Sequence, residues 1–75
     1  MEEFAGGLVR LLEVRLRADS PFANVPLKDL SLPATILVIG ILRGEKMIIP
    51  KGHDVLRPDD HVFFIGEHDA IISFE

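Results

Sequence analysis

From residue 35 the chain reads TILVIGILRGEKMIIP, where Ile36, Leu37, Val38, Ile39, Ile41 and Leu42 form a nearly unbroken apolar run. A run so short and so rich in β-branched side chains predicts a strand covered on both faces. Arg43-Gly44-Glu45-Lys46 interrupts it with polar residues and a glycine, the composition of a tight turn. Met47, Ile48 and Ile49 then resume the apolar pattern, and Pro50, which has no N–H for a ladder, ends the second strand. The pattern predicts a central hairpin whose first strand has two apolar sides. One side suits the domain's own core, and the other calls for a second cover.

Upstream, Leu12, Val14 and Leu16 alternate with Leu11, Glu13, Arg15 and Arg17, which favours a strand from about Leu11 with one wet face. A helix with Leu8, Leu11, Leu12 and Leu16 on one side is the alternative. Residues 1–7 are acidic and then glycine-paired, so residues 1–10 read as a flexible lead-in or linker remnant, and 11–75 as the domain. Asp19-Ser20-Pro21 is a turn signal. Asn24 suits an N-cap or a left-handed position, Pro26 a first helical turn, and Leu27 and Leu30 share a face. A helix of one to two turns is expected there, stopping before Pro33.

Residues 51–60 form a loop with Leu56 as its stronger inward anchor beside Val55, and Pro58-Asp59-Asp60 as a turn. HVFFI at 61–65 reads as another short strand ended by Gly66, and 67–75 as a C-terminal helix with Ala70, Ile71 and Phe74 on one face. The order of elements predicts an α+β domain. Its sheet is small and mainly antiparallel, with a short helix after the first strand and a helix at the C-terminus.

A chain of 75 residues makes one domain, and a domain of this size buries only about 60% of the surface its unfolded chain exposes. With no cysteine there is no disulfide to help, so association with a second copy is the expected remedy. The net charge of −4 argues against nucleic acid as a partner. No apolar window is long enough to span a bilayer, and no basic segment precedes an apolar core as in a secretion signal. A cytoplasmic location is the default expectation.

The chemistry is sparse. His53-Asp54, Asp59-Asp60-His61 and His68-Asp69 could gather a divalent cation, but no histidine pair has helical i, i+4 spacing, and turn and cap roles are the commoner use of such residues. Ser20, Ser31 and Ser73 lack a plausible base and orienting group, so no catalytic residue is assigned. Arg43, Lys46, Lys51 and His53, with Pro50 between them, are candidates for a phosphate-bearing ligand at the hairpin edge. A solvated charged rim is the commoner arrangement. For a dimer interface, Ile36, Val38, Ile39 and Ile41 are the candidates, with the side of the strand left open.

Taken in order, these features resemble the TrkA-C type C-terminal domain of RCK (regulator of potassium conductance) proteins. The likeness is carried by Asn24, Leu27, Leu30 and Leu32-Pro33, then Arg43-Gly44, then Ile49-Pro50, Gly52, Leu56, Asp60, Val62, Phe64, Ile65 and Gly66. Two family glycines are replaced, by Asn24 and Asp59, the residue types that best tolerate left-handed backbone. The resemblance implies a non-catalytic, ligand-sensing homodimer that regulates a membrane-embedded potassium or other cation channel or transporter from the inner face of the membrane. In some members the ligand is cyclic di-AMP or a divalent cation, near the dimer groove. The family's usual nucleotide-binding partner domain is not represented, because Gly6-Gly7 is no G-x-G-x-x-G fingerprint. The alternatives are a purely structural dimerisation module and a small nucleic-acid-binding β domain.

Overall fold

Strict alternation along HVFFIGE builds the centre of the molecule. In β5 (His61–Glu67), Val62, Phe64 and Gly66 are buried while their neighbours are less so. The computed structural model describes residues 2–74. β1 (Glu2–Phe4), β2 (Val9–Arg15), β3 (Ile36–Arg43), β4 (Lys46–Ile48) and β5 form one five-stranded sheet of order β1-β2-β5-β3-β4. Every adjacent pair is antiparallel. α1 (His68–Phe74) follows directly.

The β3–β4 hairpin forms where the sequence places it. Gly44, with φ 60°, opens a two-residue loop in the glycine-first pattern that suits the strand twist. The hairpin is not central, however. β4 is a three-residue edge strand, because Pro50 soon removes the donor a longer ladder needs. β5 pairs on both sides and takes the centre.

Two other expectations are corrected. Within the predicted lead-in, Glu2–Phe4 pairs with β2, whose first residue is Val9. The reversal between them uses positive φ at Ala5, Gly6 and Gly7. Met1 and Glu75, the ends of the lead-in and of the C-terminal helix, lie outside the described residues. That helix starts one residue late, since Glu67 still belongs to β5. The short helix expected after β2 is present as a single 3₁₀ turn, Leu27–Asp29, the lower end of the one to two turns expected. Its amides are engaged elsewhere: Asn24 N donates to Leu56 O at 2.7 Å, Leu27 N to Asp54 O at 2.9 Å and Lys28 N to Gly52 O at 2.9 Å. Bonding across to the 51–56 loop replaces bonding along a helix.

The core lies on one side of the sheet. Leu12, Leu16, Ile36, Ile41, Leu56, Val62, Phe64 and Ile71 are buried, and Phe22, Leu27, Leu30 and Leu32 pack against them. Phe74 stacks on Phe22, with centroids 5.8 Å apart, and tilts against Phe64 at 5.2 Å. Gly66 is required where α1 turns back: a Cβ there would lie 2.7 Å from Thr35 O and 2.9 Å from Ile36 Cγ1.

The register puts Leu11, Ile65 and Leu37 in one row across the opposite side, with Phe63, Leu42 and Met47 beside them. None of these joins the core, and Leu37 and Met47 are 63% and 53% exposed. β3 is therefore not covered on both faces by its own chain. A register shift between Val38 and Gly40 marks a bulge at Ile39. Ile36 and Ile41, expected at a dimer interface, are turned into the protomer's own core, and Val38 packs partly against it.

Candidate functional site

Arg43 was a candidate for a ligand phosphate. Its guanidinium is committed inside the domain instead. Nε donates to Asp60 Oδ1 and Nη2 to Asp60 Oδ2, both at 2.9 Å, and Nη2 also donates to Val55 O at 3.1 Å. Asp60 Oδ2 accepts a further bond from the Arg57 amide at 2.8 Å. Asp60 is only 2% exposed. Burial alone would raise the pKa of its carboxyl, but the Arg43 guanidinium and the Arg57 amide outweigh burial and hold it below the usual carboxylate value. Arg43 is pushed up, chiefly by its hydrogen bond to Asp60. The pair fastens the end of β3 to the 55–60 loop.

The remaining candidates divide. Pro50 lines a groove of about 230 Å³ together with Leu27, Lys28, Leu32, Ile36, Leu37, Val38, Lys51 and Gly52. The groove runs between the 27–32 segment, the start of β3 and the chain leaving β4. Ile36 and Val38, assigned to a dimer interface by sequence, lie along it. Lys46 and His53 are exposed and do not line it. Lys28 and Lys51 do, and among the described residues neither ammonium has a side-chain partner.

The backbone makes this groove. Lys28 N is bonded to Gly52 O, and a Cβ on Gly52 would lie 3.4 Å from Lys28 Cβ, so the two segments approach closely. Neither Lys28 nor Leu32 was a site candidate from sequence. The feature that brings them to the site is a contact between segments more than twenty residues apart, and no local pattern announces it. A larger cleft of about 640 Å³ lies beside the Phe22–Phe74 stack, but its arginines, Arg15 and Arg17, are already paired with Asp59 and Asp19. The smaller groove has two lysines, Lys28 and Lys51, beside an apolar floor.

The histidines do not converge. His61 Nδ1 is 3.0 Å from Glu13, His53 Nε2 is 3.8 Å from Asp54, and His68 Nε2 is 3.9 Å from Asp69. Among the described residues no group of three or more His, Cys, Asp or Glu could hold a metal ion. Among the same residues no helix is long and apolar enough to cross a membrane.

Fold and groove together describe a small two-layer α+β domain with an open groove at the sheet's edge. The family model of the TrkA-C domain matches residues 11–75, and the chain belongs to that family. It is 32% identical over 74 residues to Trk system potassium uptake protein TrkA homolog 2 of Methanosarcina mazei, covering 99% of this chain and 16% of that protein. It is 31% identical over 68 residues to Trk system potassium uptake protein TrkA of Mycobacterium tuberculosis, covering 91% of this chain and 31% of that protein. The chain thus spans less than a third of the length of these relatives. A solved structure of an RCK domain with cda shares the fold, with a TM-score of 0.73, 22% identity, and 85% of this chain and 90% of that one covered.

Proposed function

We propose that this chain is the ligand-sensing, homodimerising regulatory domain of a potassium-uptake system, acting at the inner face of the membrane on an embedded transporter. The observation that carries the ligand part is the groove: an apolar floor of Leu27, Leu32, Ile36 and Val38 with the free ammonium groups of Lys28 and Lys51 on its lining. An apolar floor suits a flat base, and two ammonium groups suit phosphodiester charge. At about 230 Å³ the groove falls short of the ~300 Å³ at which ligand pockets begin. One protomer's groove fits half of a two-fold symmetric cyclic dinucleotide, and two protomers together would hold the whole. Cyclic di-AMP, the reading of cda in the related RCK domain, has that symmetry and charge. The potassium part rests on the TrkA relatives.

Binding would act by population shift: a ligand that prefers one relative orientation of two protomers biases whatever is attached to them. Isothermal calorimetry of the chain with cyclic di-AMP tests this. Saturable binding at about one dinucleotide per two chains is expected. Lys28→Glu and Lys51→Glu should each weaken it at least about tenfold, equivalent to about 1.4 kcal/mol, with the circular dichroism unchanged. Silence of the unaltered chain would overturn the ligand assignment and leave a structural dimerisation module.

A further inference from the structure

We propose that the uncovered half of β2 is a docking edge for an extended peptide of a partner protein, added antiparallel to β2 and in line with β1. Alternate side chains of that peptide fill the cleft beside the Phe22–Phe74 stack. The cleft shares no residue with the lysine groove.

β5 pairs with β2 along its whole length, from Val9↔Glu67 to Arg15↔His61. On the other side β1 reaches only Leu11, Arg10 and Val9. Burial follows that division: Val9, Arg10, Leu11 and Leu12 are buried or half-buried, whereas Glu13, Val14 and Arg15 are exposed. Bonds at either end of the strand fix the direction of its main chain. Leu8 O accepts from His68 N at 2.9 Å, Leu16 N donates to Asp60 O at 2.7 Å, and Leu16 O accepts from Asp59 N at 2.8 Å. The even-numbered residues thus turn their N–H and C=O groups toward β5. By the alternation of an antiparallel ladder, Glu13 and Arg15 turn theirs outward. No described residue bonds to those groups from that side.

An open edge of this kind is usually guarded by charged side chains. Here the guards are drawn away onto the outer face. Arg15 Nη2 donates to Asp59 Oδ1 at 2.7 Å, and Glu13 Oε2 lies 3.0 Å from His61 Nδ1. On the core side, the cleft of about 640 Å³ beneath the edge is lined by Leu12, Val14, Leu16, Phe22, Phe64 and Phe74. Its volume lies within the roughly 300–1,000 Å³ of ligand pockets. Its arginines are already paired, so it holds no free charge for an anion.

Edge and cleft together select the occupant. In strand addition, main-chain bonds give affinity and pockets for alternate side chains give selectivity. A segment running antiparallel to β2 meets Leu16, Arg15, Val14 and Glu13 in that order. Apolar residues belong opposite Leu16 and Val14, where side chains point to the cleft. An acidic residue belongs opposite Arg15 and a basic one opposite Glu13. Such a segment would cover Val14, which is 36% exposed although it stands on the core side.

The probe is the peptide acetyl-Thr-Val-Glu-Val-Lys-amide, titrated up to about 2 mM into the isotope-labelled 75-residue chain and followed by heteronuclear NMR. Saturable binding is expected, with amide exchange at Glu13 and Arg15 slowed at least about tenfold at saturation. N-methylation of the peptide's Glu and Lys amides, which face the edge, should abolish binding while leaving every side chain in place. Exchanging its Glu and Lys should weaken binding at least about threefold. Val14→Asp should weaken it at least about fivefold with the circular dichroism unchanged, because Val14 is outside the buried core. Absence of saturation, indifference to any of these three changes, or shifts centred on Lys28 and Lys51 would each overturn the proposal. Slow exchange at Glu13 and Arg15 in the chain alone would do so too, since a second copy would already hold the edge.

Discussion

Asp60 joins three pieces of chain through one residue. Its carboxylate holds Arg43 of β3 and the amide of Arg57, and its carbonyl accepts from Leu16 N at 2.7 Å beyond the end of β2. Removing one partner of a buried pair strands the other, at a cost of about 3–5 kcal/mol. Arg43 keeps some access to water, its side chain being 29% exposed, so Asp60→Asn should cost about 3 kcal/mol, read as a shift in urea midpoint at pH 7. The pH dependence follows from the sign of the shift. Asp60 binds its proton less readily folded than unfolded, so its contribution is complete above the ordinary carboxylate pKa, about 3.9. It is lost as pH falls from there through the depressed folded value. The parent should lose this stability on acidification in that window, and the Asp60→Asn variant should lack that component; equal acid slopes would refute the assignment. Asn24 and Asp59 give a second test, with φ of 64° and 73°. Asn24→Gly should change stability by less than about 0.5 kcal/mol, whereas Asn24→Val should cost about 1–3 kcal/mol. These two positions were legible because residue type and left-handed backbone go together. The partner of Arg43 was not: nothing local says which of twelve acidic residues meets a guanidinium seventeen positions away.

Among the elements, Gly66 sets how closely α1 can fold back onto β5. An added methyl would meet backbone at Thr35 O, which cannot swing aside, so Gly66→Ala should destabilise by about 1–3 kcal/mol, measured by thermal or urea unfolding. A neutral result would mean that the β3 entry is freer to move than its hydrogen bond, Glu67 N to Thr35 O at 3.1 Å, implies. β2 to β5 were readable, because the alternation of Leu12, Val14 and Leu16 with Glu13 and Arg15 and the glycine turn of the hairpin are local signals, whereas β1 was not. Their order was not. Whether 36–43 or 61–67 takes the centre depends on which strand finds two partners, and β5 does so by pairing with segments about 25 and 50 residues away in sequence. The short helix expected there stops at one turn, Leu27–Asp29, because its donors are captured by a loop that sequence separation hides. The groove inherits this limit. Pro50 and Lys51 could be picked out as hairpin-edge residues, but Lys28 reaches them only after that capture.

For the whole molecule, a core confined to one side of a small sheet leaves stability open to mass action. Whatever binds only the folded form adds RT ln(1 + [L]/Kd), about 2.7 kcal/mol at one hundred times Kd. For a domain this size each kcal/mol moves Tm by about 4–8 °C. If a second copy covers the bare face, Tm should rise with protein concentration in the absence of any ligand. If cyclic di-AMP occupies the lysine groove, it should raise Tm by roughly 10–20 °C at that saturation. The two responses belong to different surfaces and separate by mutation. Ile65→Glu should abolish the concentration dependence, and because one dinucleotide is shared by two chains it should also blunt the ligand response. Lys51→Glu should reduce the ligand response alone, to about half for a tenfold loss of affinity. The asymmetry is the informative part, since a ligand that merely sat on one protomer would leave Ile65→Glu fully responsive. Differential scanning fluorimetry across about 5–200 µM chain, with and without the dinucleotide, reads all four cases. A Lys51→Glu variant that kept the full ligand shift would detach the groove from sensing.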